Sequence, residues 1–416
     1  MGKTSSDRVH KRRVFYIPGY DPIHPRRYRE LYRKEGAAQA AVSGYEIGLK
    51  GKPKDVNFGW SVDARIDSLD VQAEVDVLVW SDIVRDSMDT SIPATYLQLI
   101  RTAWVYIGSG ALWRLMKLRK GPVIAALYPV GMLLLQLGLA AALGLAVFQM
   151  TMTVLVVLLS LSLPIVVVGG AGLALGLGAA FALLRWFKKL DGKFYAYYLM
   201  HDYSYSAGAK GANPPELEAR IAVFTDVIAQ ALQEDVQEVL VVGHSSGAHL
   251  GVSILADLIR QGRVPASGPK LSFLSLGQVV PMVSFLPAAH RLRADLRYLS
   301  ARDELTWVDV TAPGDGCAFA LCDPVSVSGV APEDKKWPLV LSAAFTQTLS
   351  AKRWKELRWQ FFRLHFQYLC TFDRPAGYDY FQITAGPMTL GARYAGRTPS
   401  KSRIDRAVSK YTSVAA

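Results

Sequence analysis

Residues 238–260 read EVLVVGHSSGAHLGVSILADLIR, in which one secondary structure gives way to another within a few positions. The β-branched and leucine run up to Val242 predicts a buried strand, and the apolar spacing after the pentapeptide GHSSG (243–247) predicts a helix. A strand that passes directly into a helix needs a sharp turn, and glycine at both ends of that turn keeps side chains from colliding with strand and helix. The central Ser245 is then expected in a strained backbone conformation at the edge of a sheet.

The rest of the chain alternates between strand-like and helix-like patterns on both sides of this stretch. We predict strands near 13–18, 71–80, 238–243, 270–276 and 305–311, helices near 25–42, 214–234, 246–260 and 338–351, and an extended run at 358–369. Alternating strands and helices are typical of an open α/β fold. The sequence therefore predicts an α/β protein with a mostly parallel sheet.

A long uncharged segment interrupts this alternation. Between Lys120 and Arg185 there is no acidic, basic or histidine residue. Because a membrane span needs about 20 apolar residues, we predict two spans, at about 122–147 and 154–184, with a turn near 149–151. Basic residues stand on both flanks, so the positive-inside rule places both ends in the cytoplasm. The sequence thus predicts a transmembrane helical hairpin inserted into the α/β fold, with glycines in its second span for close helix packing.

These patterns divide the chain into segments. Residues 93–113 carry several aromatics and a Gly-Ser-Gly break, and a third span there would place the two polar halves on opposite sides of the membrane. We therefore expect an interfacial helix or lid. The predicted segments are 1–92 (first part of the α/β domain), 93–120 (interfacial helix or lid), 121–185 (transmembrane hairpin), 186–392 (second part of the α/β domain) and 393–416 (basic tail).

Composition narrows the class of protein further. The 416 residues include 47 Lys+Arg against 35 Asp+Glu, a formal net charge of +12, and 51% hydrophobic residues, which excludes intrinsic disorder. Three cysteines, Cys317, Cys322 and Cys370, do not make a disulfide framework. The excess positive charge suits anionic lipid headgroups, and no nucleic-acid-binding motif accompanies it. We expect an integral protein of an inner or plasma membrane, with membrane lipids as partners and no nucleic acid.

The strand, the GHSSG pentapeptide and the helix together resemble the α/β-hydrolase superfamily, and the resemblance covers both polar halves but not the hairpin. It implies an acyl-enzyme mechanism with a triad in the chain order serine, acid, histidine. Ser245 would be the nucleophile and His365, near the C-terminal end, the base. Asp315 follows the predicted strand 305–311 and is the first choice as acid, with Asp323 and Asp309 as alternatives.

The resemblance also implies an oxyanion hole made of two backbone N–H groups. One would come from Ser246, the residue after the nucleophile. The other would come from Tyr20, in the Pro-Gly turn after the first predicted strand. This chemistry uses side chains and backbone only, so we expect no cofactor and no metal.

A hydrolase held at a membrane is expected to act on lipid esters or long-chain acyl esters. Two alternatives remain open at this point. One is an acyl-thioesterase with the same residues. The other is a catalytically inactive membrane protein that keeps the fold and binds a lipid or a partner, because fold does not imply function. The oligomeric state is not specified by the sequence.

Overall fold

The computed structural model describes residues 8–52, 58–88, 91–158 and 164–415. They form a mixed α/β protein with an eight-stranded, mostly parallel sheet. The chain divides into two compact units. The first contains the sheet and comprises the residues up to Asp86, Val105–Val123 and the residues from Ala209 onward. The second comprises Ser87–Trp104 and Ile124–Gly208 and is helical.

The sheet has β1 at an inner position, between two groups of strands. The strands are β1 (Lys11–Ile17), β2 (Glu46–Gly51), β3 (Gly59–Ile66), β4 (Leu69–Val77), β5 (Glu238–His244), β6 (Lys270–Leu276), β7 (Leu305–Thr311) and β8 (Leu339–Ser342). Their order is β2-β3-β4-β1-β5-β6-β7-β8, with β3 antiparallel to β2 and β4 and the other pairs parallel. Tyr16 pairs with both Val77 and Val242, so β1 links the two groups in register.

The helices vary widely in length. They are α1 (Arg26–Ser43), α2 (Ser81–Met88), α3 (Ile92–Gly108), α4 (Ala111–Leu118), α5 (Lys120–Thr153), α6 (Ile165–Lys189), α7 (Asp191–Phe194), α8 (Ala196–Gly208), α9 (Pro215–Ala231), α10 (Gly247–Arg260), α11 (Val280–Ser284), α12 (His290–Ser300), α13 (Pro324–Val327), α14 (Phe345–Thr348), α15 (Ala351–Leu357), α16 (Phe361–His365), α17 (Tyr380–Ala385) and α18 (Leu390–Arg393). A π-helical stretch at Val154–Leu158 extends α5, and a 3-10 turn at Gln367–Leu369 follows α16.

The strand β5 and the helix α10 lie at the centre of the first unit. Every residue of β5 is buried, and α10 packs on it and against α9 and α12. A buried ion pair fixes the amino end of this region: Arg12 Nε donates to Glu238 Oε2 at 2.6 Å, and both side chains are fully buried. Ser272 Oγ and the backbone N–H of Leu390 donate to the other oxygen of Glu238, so its buried charge is compensated.

Two helices are long and apolar enough to cross a membrane: Lys120–Val157 and α6. Only 17% of the most apolar stretch of each is buried, which is unlike the core helix of a soluble protein. They approach closely at glycines. A Cβ on Gly144 would lie 2.9 Å from the carbonyl oxygen of Gly176, and a Cβ on Gly176 would lie 2.6 Å from that of Gly144. This contact is of the small-residue type that packs helices in lipid.

The predicted turn near 149–151 is wrong, because α5 continues through these residues. Thr151 Oγ1 donates to the carbonyl oxygen of Val147 at 2.8 Å, so its hydroxyl is satisfied within the helix. The second helix begins after Pro164, which suits a helix start since it lacks an N–H donor. Residues 159–163, which the predicted second span included, lie outside the described residues.

Two further predictions near the C-terminus are wrong. The predicted helix at 338–351 is instead β8 followed by α14, and the predicted extended run at 358–369 contains α16 and the 3-10 turn. Short apolar runs fit a buried strand and a buried helix equally well, so tertiary packing decides between them. The hairpin of β2 and β3 was not predicted at all. By contrast, the strand at 270–276 and the strand at 305–311 are confirmed to the residue.

Candidate active site

The sequence-predicted residues converge at one edge of the sheet. Parallel strands place their carboxyl ends together, and open α/β sheets bind ligands there, where neighbouring connections leave in opposite directions. Such a switch point lies between β1 and β5: the chain leaves β1 towards β2, β3 and β4 on one side of the sheet and leaves β5 towards β6 on the other side. The segments that follow β1, β5, β6 and β7 carry Tyr20, Ser245, Gly277 and Asp315 respectively.

Ser245 occupies the turn between β5 and α10 in the left-handed backbone conformation, with φ of 56°. Its N–H donates to the carbonyl oxygen of Leu276 at 2.9 Å, which ties the turn to the end of β6. The flanking glycines are required by space. A Cβ on Gly247 would lie 2.1 Å from the carbonyl oxygen of Ile17, and one on Gly243 would lie 2.7 Å from that of Gly247. Non-glycine residues rarely adopt this conformation, and it recurs at functional sites.

His365 and Asp315 form a buried pair beside this turn. The two residues are 7% and 2% exposed, and His365 Nδ1 lies 2.7 Å from Asp315 Oδ2. Burial alone would raise the pKa of Asp315, but the His365 imidazole and hydrogen bonds from its neighbours hold that pKa below its ordinary value. Asp315 is therefore an acceptor at neutral pH, and Nδ1 of His365 carries the proton. This arrangement fixes the imidazole tautomer and leaves Nε2 as the proton acceptor.

Tyr368 supports this pair and was not identified from the sequence. Its hydroxyl donates to Asp315 Oδ2 at 3.0 Å and accepts the backbone N–H of Ala312 at 2.9 Å. Burial and the adjacent carboxylate raise the pKa of Tyr368 well above its ordinary value, so the hydroxyl stays protonated as a donor. A third donor to Asp315 is the backbone N–H of Cys317, at 2.8 Å from Oδ1. Three donors around one buried carboxylate stabilise its charged form.

His244, adjacent to Ser245 in the chain, contacts His365 instead of the serine. The two imidazole rings have centroids 4.8 Å apart at 35°, and His244 Nε2 lies 3.0 Å from the carbonyl oxygen of His365. Because a carbonyl only accepts, Nε2 carries a hydrogen and donates it. Burial, and to a smaller extent the nearby His365, lowers the pKa of His244 to about 3, so its imidazole is neutral at pH 7. His244 thus packs against His365 and binds its carbonyl oxygen, so it positions the imidazole of His365.

Two backbone segments lie next to Ser245, the start of α10 and the loop after β1. Ser246 begins the first turn of α10, and within the described part of the chain its N–H donates no hydrogen bond. The loop after β1 lies against the serine: a Cβ on Gly19 would be 3.0 Å from Ser245 Cβ and 3.4 Å from Oγ. Tyr20 follows Gly19 directly, and its buried ring contacts Trp80 edge to face. The two segments expected to form an oxyanion hole therefore flank the same side chain.

The two alternative acids are placed elsewhere. Asp309 lies within β7, fully buried, and accepts a hydrogen bond from Ser275 Oγ at 2.6 Å. Burial raises the pKa of Asp309 to about 8, so it is protonated at neutral pH. Asp323 caps α13 by accepting from the N–H groups of Val325 and Ser326. Among the described hydrogen bonds, neither aspartate is joined to His365.

Ser245 and His365 lie at the same sheet edge, although no hydrogen bond between Ser245 Oγ and His365 exists among the described residues. The link between them is Gly277, which follows the Leu276 carbonyl bonded to Ser245. A Cβ on Gly277 would lie 3.1 Å from His365 Cε1 and 2.7 Å from a ring carbon of Tyr368. Glycine at this position, with φ of 53°, lets the imidazole approach the end of β6.

The arrangement provides a hydroxyl on a strained turn, an oriented imidazole, and backbone donors at the start of a helix. Such a set can activate an alcohol for attack on a carbonyl carbon. In the sequence, only the alternation of strands and helices and the GHSSG pentapeptide indicate this site. Tyr368 and Gly277 lie in segments without a recognisable motif, so the sequence does not identify them. Comparisons with protein-family models, with curated proteins and with solved structures found no match to this chain.

Proposed function

We propose that this chain is a membrane-anchored serine hydrolase of the α/β-hydrolase superfamily that cleaves carboxylic esters of lipids or long-chain acyl compounds. The observation that carries the proposal is the left-handed backbone of Ser245 on a strand-to-helix turn, at the sheet edge that also holds the His365–Asp315 pair. Strained backbone conformations of non-glycine residues cluster at functional sites, and a serine on such a turn presents its hydroxyl for catalysis.

In the proposed acylation step, Ser245 Oγ attacks the carbonyl carbon of the ester and His365 Nε2 takes the hydroxyl proton. Rotation of the serine side chain on substrate binding closes the bond to Nε2, since such bonds often tighten only when substrate is present. Asp315 keeps the proton of His365 on Nδ1 and stabilises the imidazolium that forms. His365 then donates its new proton to the leaving alcohol, which leaves an acyl group on Ser245.

The negative charge that develops on the carbonyl oxygen needs donors that are already in place. The N–H of Ser246 is one, and the positive end of α10 adds to its effect. The N–H of Tyr20 is the other, delivered by the loop that lies against Ser245. Water then attacks the acyl-enzyme with His365 as base, releasing the acid and restoring the serine. Every step uses residues of this chain, without a cofactor.

The membrane part of the proposal rests on the two apolar helices. Their basic flanks favour a topology in which both ends, and with them the catalytic domain, lie in the cytoplasm, at an inner or plasma membrane. Just before the first of these helices, α4 carries Arg114, Lys117 and a half-exposed Trp113, the combination that favours the headgroup region. An ester substrate with a long acyl chain reaches such an enzyme from the bilayer.

The test is labelling of the purified full-length chain in detergent with a fluorophosphonate probe, which reacts with activated serines. We expect wild type to be labelled and Ser245→Ala to remain unlabelled. Ser61→Ala, which removes a half-buried serine from β3, is the matched control and should be labelled like wild type. Folded wild type that resists the probe contradicts the proposal and leaves the inactive lipid- or partner-binding protein. Equal labelling of Ser245→Ala contradicts the assignment of Ser245 as the nucleophile.

Turnover then separates esters from thioesters. The same long acyl chain is offered as an oxygen ester and as a thioester, and kcat/KM is compared in the same detergent. Higher kcat/KM for the oxygen ester supports the proposal, and hydrolysis of the thioester alone supports an acyl-thioesterase. A short-chain ester gives the contribution of the acyl chain, which we expect to increase kcat/KM because each buried methylene adds about 0.8 kcal/mol.

A further inference from the structure

The thiol of Cys317 lies close to the His365–Asp315 pair. It lies two residues after Asp315, is half-buried and is not in a disulfide. Its backbone N–H binds Asp315 Oδ1, which turns the loop back on itself. As a result, one ligand atom from each of Asp315, Cys317 and His365 lies within 4.8 Å of the other two. Nitrogen, oxygen and sulfur donors therefore converge on one point.

This donor set suits zinc. Zn²⁺ takes thiolate, imidazole and carboxylate ligands at about 2.0–2.3 Å in tetrahedral geometry, which corresponds to separations between ligand atoms of roughly 3.3–3.8 Å. All separations here are within 4.8 Å, so a contraction of at most about 1–1.5 Å is required, within reach of side-chain rotation. A thiolate disfavours Mg²⁺ and Ca²⁺, which prefer oxygen ligands. Three protein ligands leave a fourth position for water.

We propose that Asp315, Cys317 and His365 form an inhibitory Zn²⁺ site. Zinc takes the place of the proton that His365 Nδ1 shares with Asp315, and the Cys317 thiol loses its proton to become a thiolate. The thiol proton passes to solvent, the imidazole proton moves from Nδ1 to Nε2 by exchange with solvent, and no group is oxidised or reduced. The remaining proton of the neutral imidazole is then on Nε2, which cannot accept a proton from Ser245. This inhibitory consequence rests on the proposed hydrolase function, whereas zinc binding itself does not.

Direct binding is measured first, on the chelator-treated full-length chain in detergent. We expect one Zn²⁺ per chain, by competition with a chromogenic chelator, and a thiolate-to-metal charge-transfer band when Co²⁺ is used instead. Cys317→Ser keeps the backbone donor to Asp315 but should lose the band and bind zinc at least about tenfold more weakly. Cys370→Ser, at the other half-buried cysteine, is the matched control and should behave as wild type.

Zinc should also slow fluorophosphonate labelling of wild type and Cys370→Ser but not of Cys317→Ser. If Cys317→Ser fails to fold, alkylation of wild type decides the question: zinc should protect Cys317 and not Cys370 from iodoacetamide, as measured by peptide mass spectrometry. Equal zinc affinity of Cys317→Ser and wild type, or no protection, overturns the site. Zinc binding by a chain that is never labelled supports the site and contradicts the hydrolase proposal instead.

Discussion

Removal of the Tyr368 hydroxyl tests the support of the proposed catalytic pair. Tyr368→Phe eliminates the hydrogen bond to Asp315 Oδ2 and leaves the buried N–H of Ala312 without its acceptor. A hydrogen bond to a charged group contributes about 1.5–3 kcal/mol, and a buried unpaired N–H costs about 1–3 kcal/mol. Allowing for local relaxation, we expect the free energy of unfolding to fall by about 3 kcal/mol.

The assay is thermal unfolding of the full-length chain in detergent. For a chain of 416 residues, with an unfolding entropy of about 2.1 cal/mol/K per residue, the expected loss corresponds to a decrease in Tm of roughly 3–4 °C. Tyr16→Phe is the matched control, because Tyr16 is equally buried and its hydroxyl has no hydrogen-bond partner among the described residues. That variant should keep the wild-type Tm or exceed it. A Tyr368→Phe variant as stable as Tyr16→Phe would refute the reasoning.

The loss of stability caused by Tyr368→Phe should also depend on pH. The pKa of Asp315 is below its ordinary value in the folded protein, and the tyrosine hydroxyl contributes to this lowering. A carboxyl with a lowered folded-state pKa stabilises the protein above its unfolded pKa, and this stabilisation is lost as pH falls through the folded pKa. The difference in stability between wild type and Tyr368→Phe should therefore be full at about pH 7 and shrink below about pH 4. The rate of fluorophosphonate labelling should fall about tenfold, equivalent to about 1.4 kcal/mol.

Two other substitutions test the surroundings of the site. Gly247→Ala places a Cβ 2.1 Å from the Ile17 carbonyl oxygen, so we expect circular dichroism to show a misfolded protein or the probe to leave it unlabelled. Gly192→Ala is the control and should be neutral, because a Cβ there meets nothing within 4 Å. A folded and labelled Gly247→Ala variant would contradict the packing described for the turn. Asp309 has a folded-state pKa raised to about 8, so it lowers stability as pH rises from about 4 to about 8. Asp309→Asn keeps the hydrogen bond from Ser275 but does not titrate, so the Tm of the variant minus the Tm of wild type should increase as the pH rises over that range. A difference in Tm that does not change with pH would contradict the raised pKa.

The central strands could be predicted because their sequences leave little choice. Residues 239–242 (VLVV) are a continuous apolar run, a helical pattern follows a few residues later, and a strand buried on both faces has this composition. The edge hairpin could not be predicted in the same way. In β2 only Ile47 and Leu49 alternate as apolar residues, and both are half-buried, so the alternation is too short to identify a strand. Strand identity there depends on pairing with β3, which is a tertiary property.

In the candidate site, too, some residue positions follow from local sequence and others depend on tertiary contacts. Ser245 and Asp315 follow strands, so their positions at the sheet edge could be predicted from element order alone. His365 falls within the predicted extended run at 358–369 but instead ends α16, where it is hydrogen-bonded to the distant residues Asp315 and His244. The stacking of His244 on His365 and the hydroxyl of Tyr368 on Asp315 join residues 121 and 53 positions apart. No local pattern encodes such pairs.

The sheet also limits how the chain can cross a membrane. Ile17 of β1 pairs with Gly243 of β5, so the segment before the apolar helices and the segment after them are hydrogen-bonded neighbours in one sheet. A sheet cannot be divided by a bilayer, because broken strand pairs would leave unpaired backbone groups. The number of crossings between residues 17 and 243 is therefore even. Two spans satisfy this condition, whereas a third crossing by α3 would violate it. The pairing of β1 with β5 therefore agrees with the proposed topology, in which both ends of the hairpin lie on one side of the membrane.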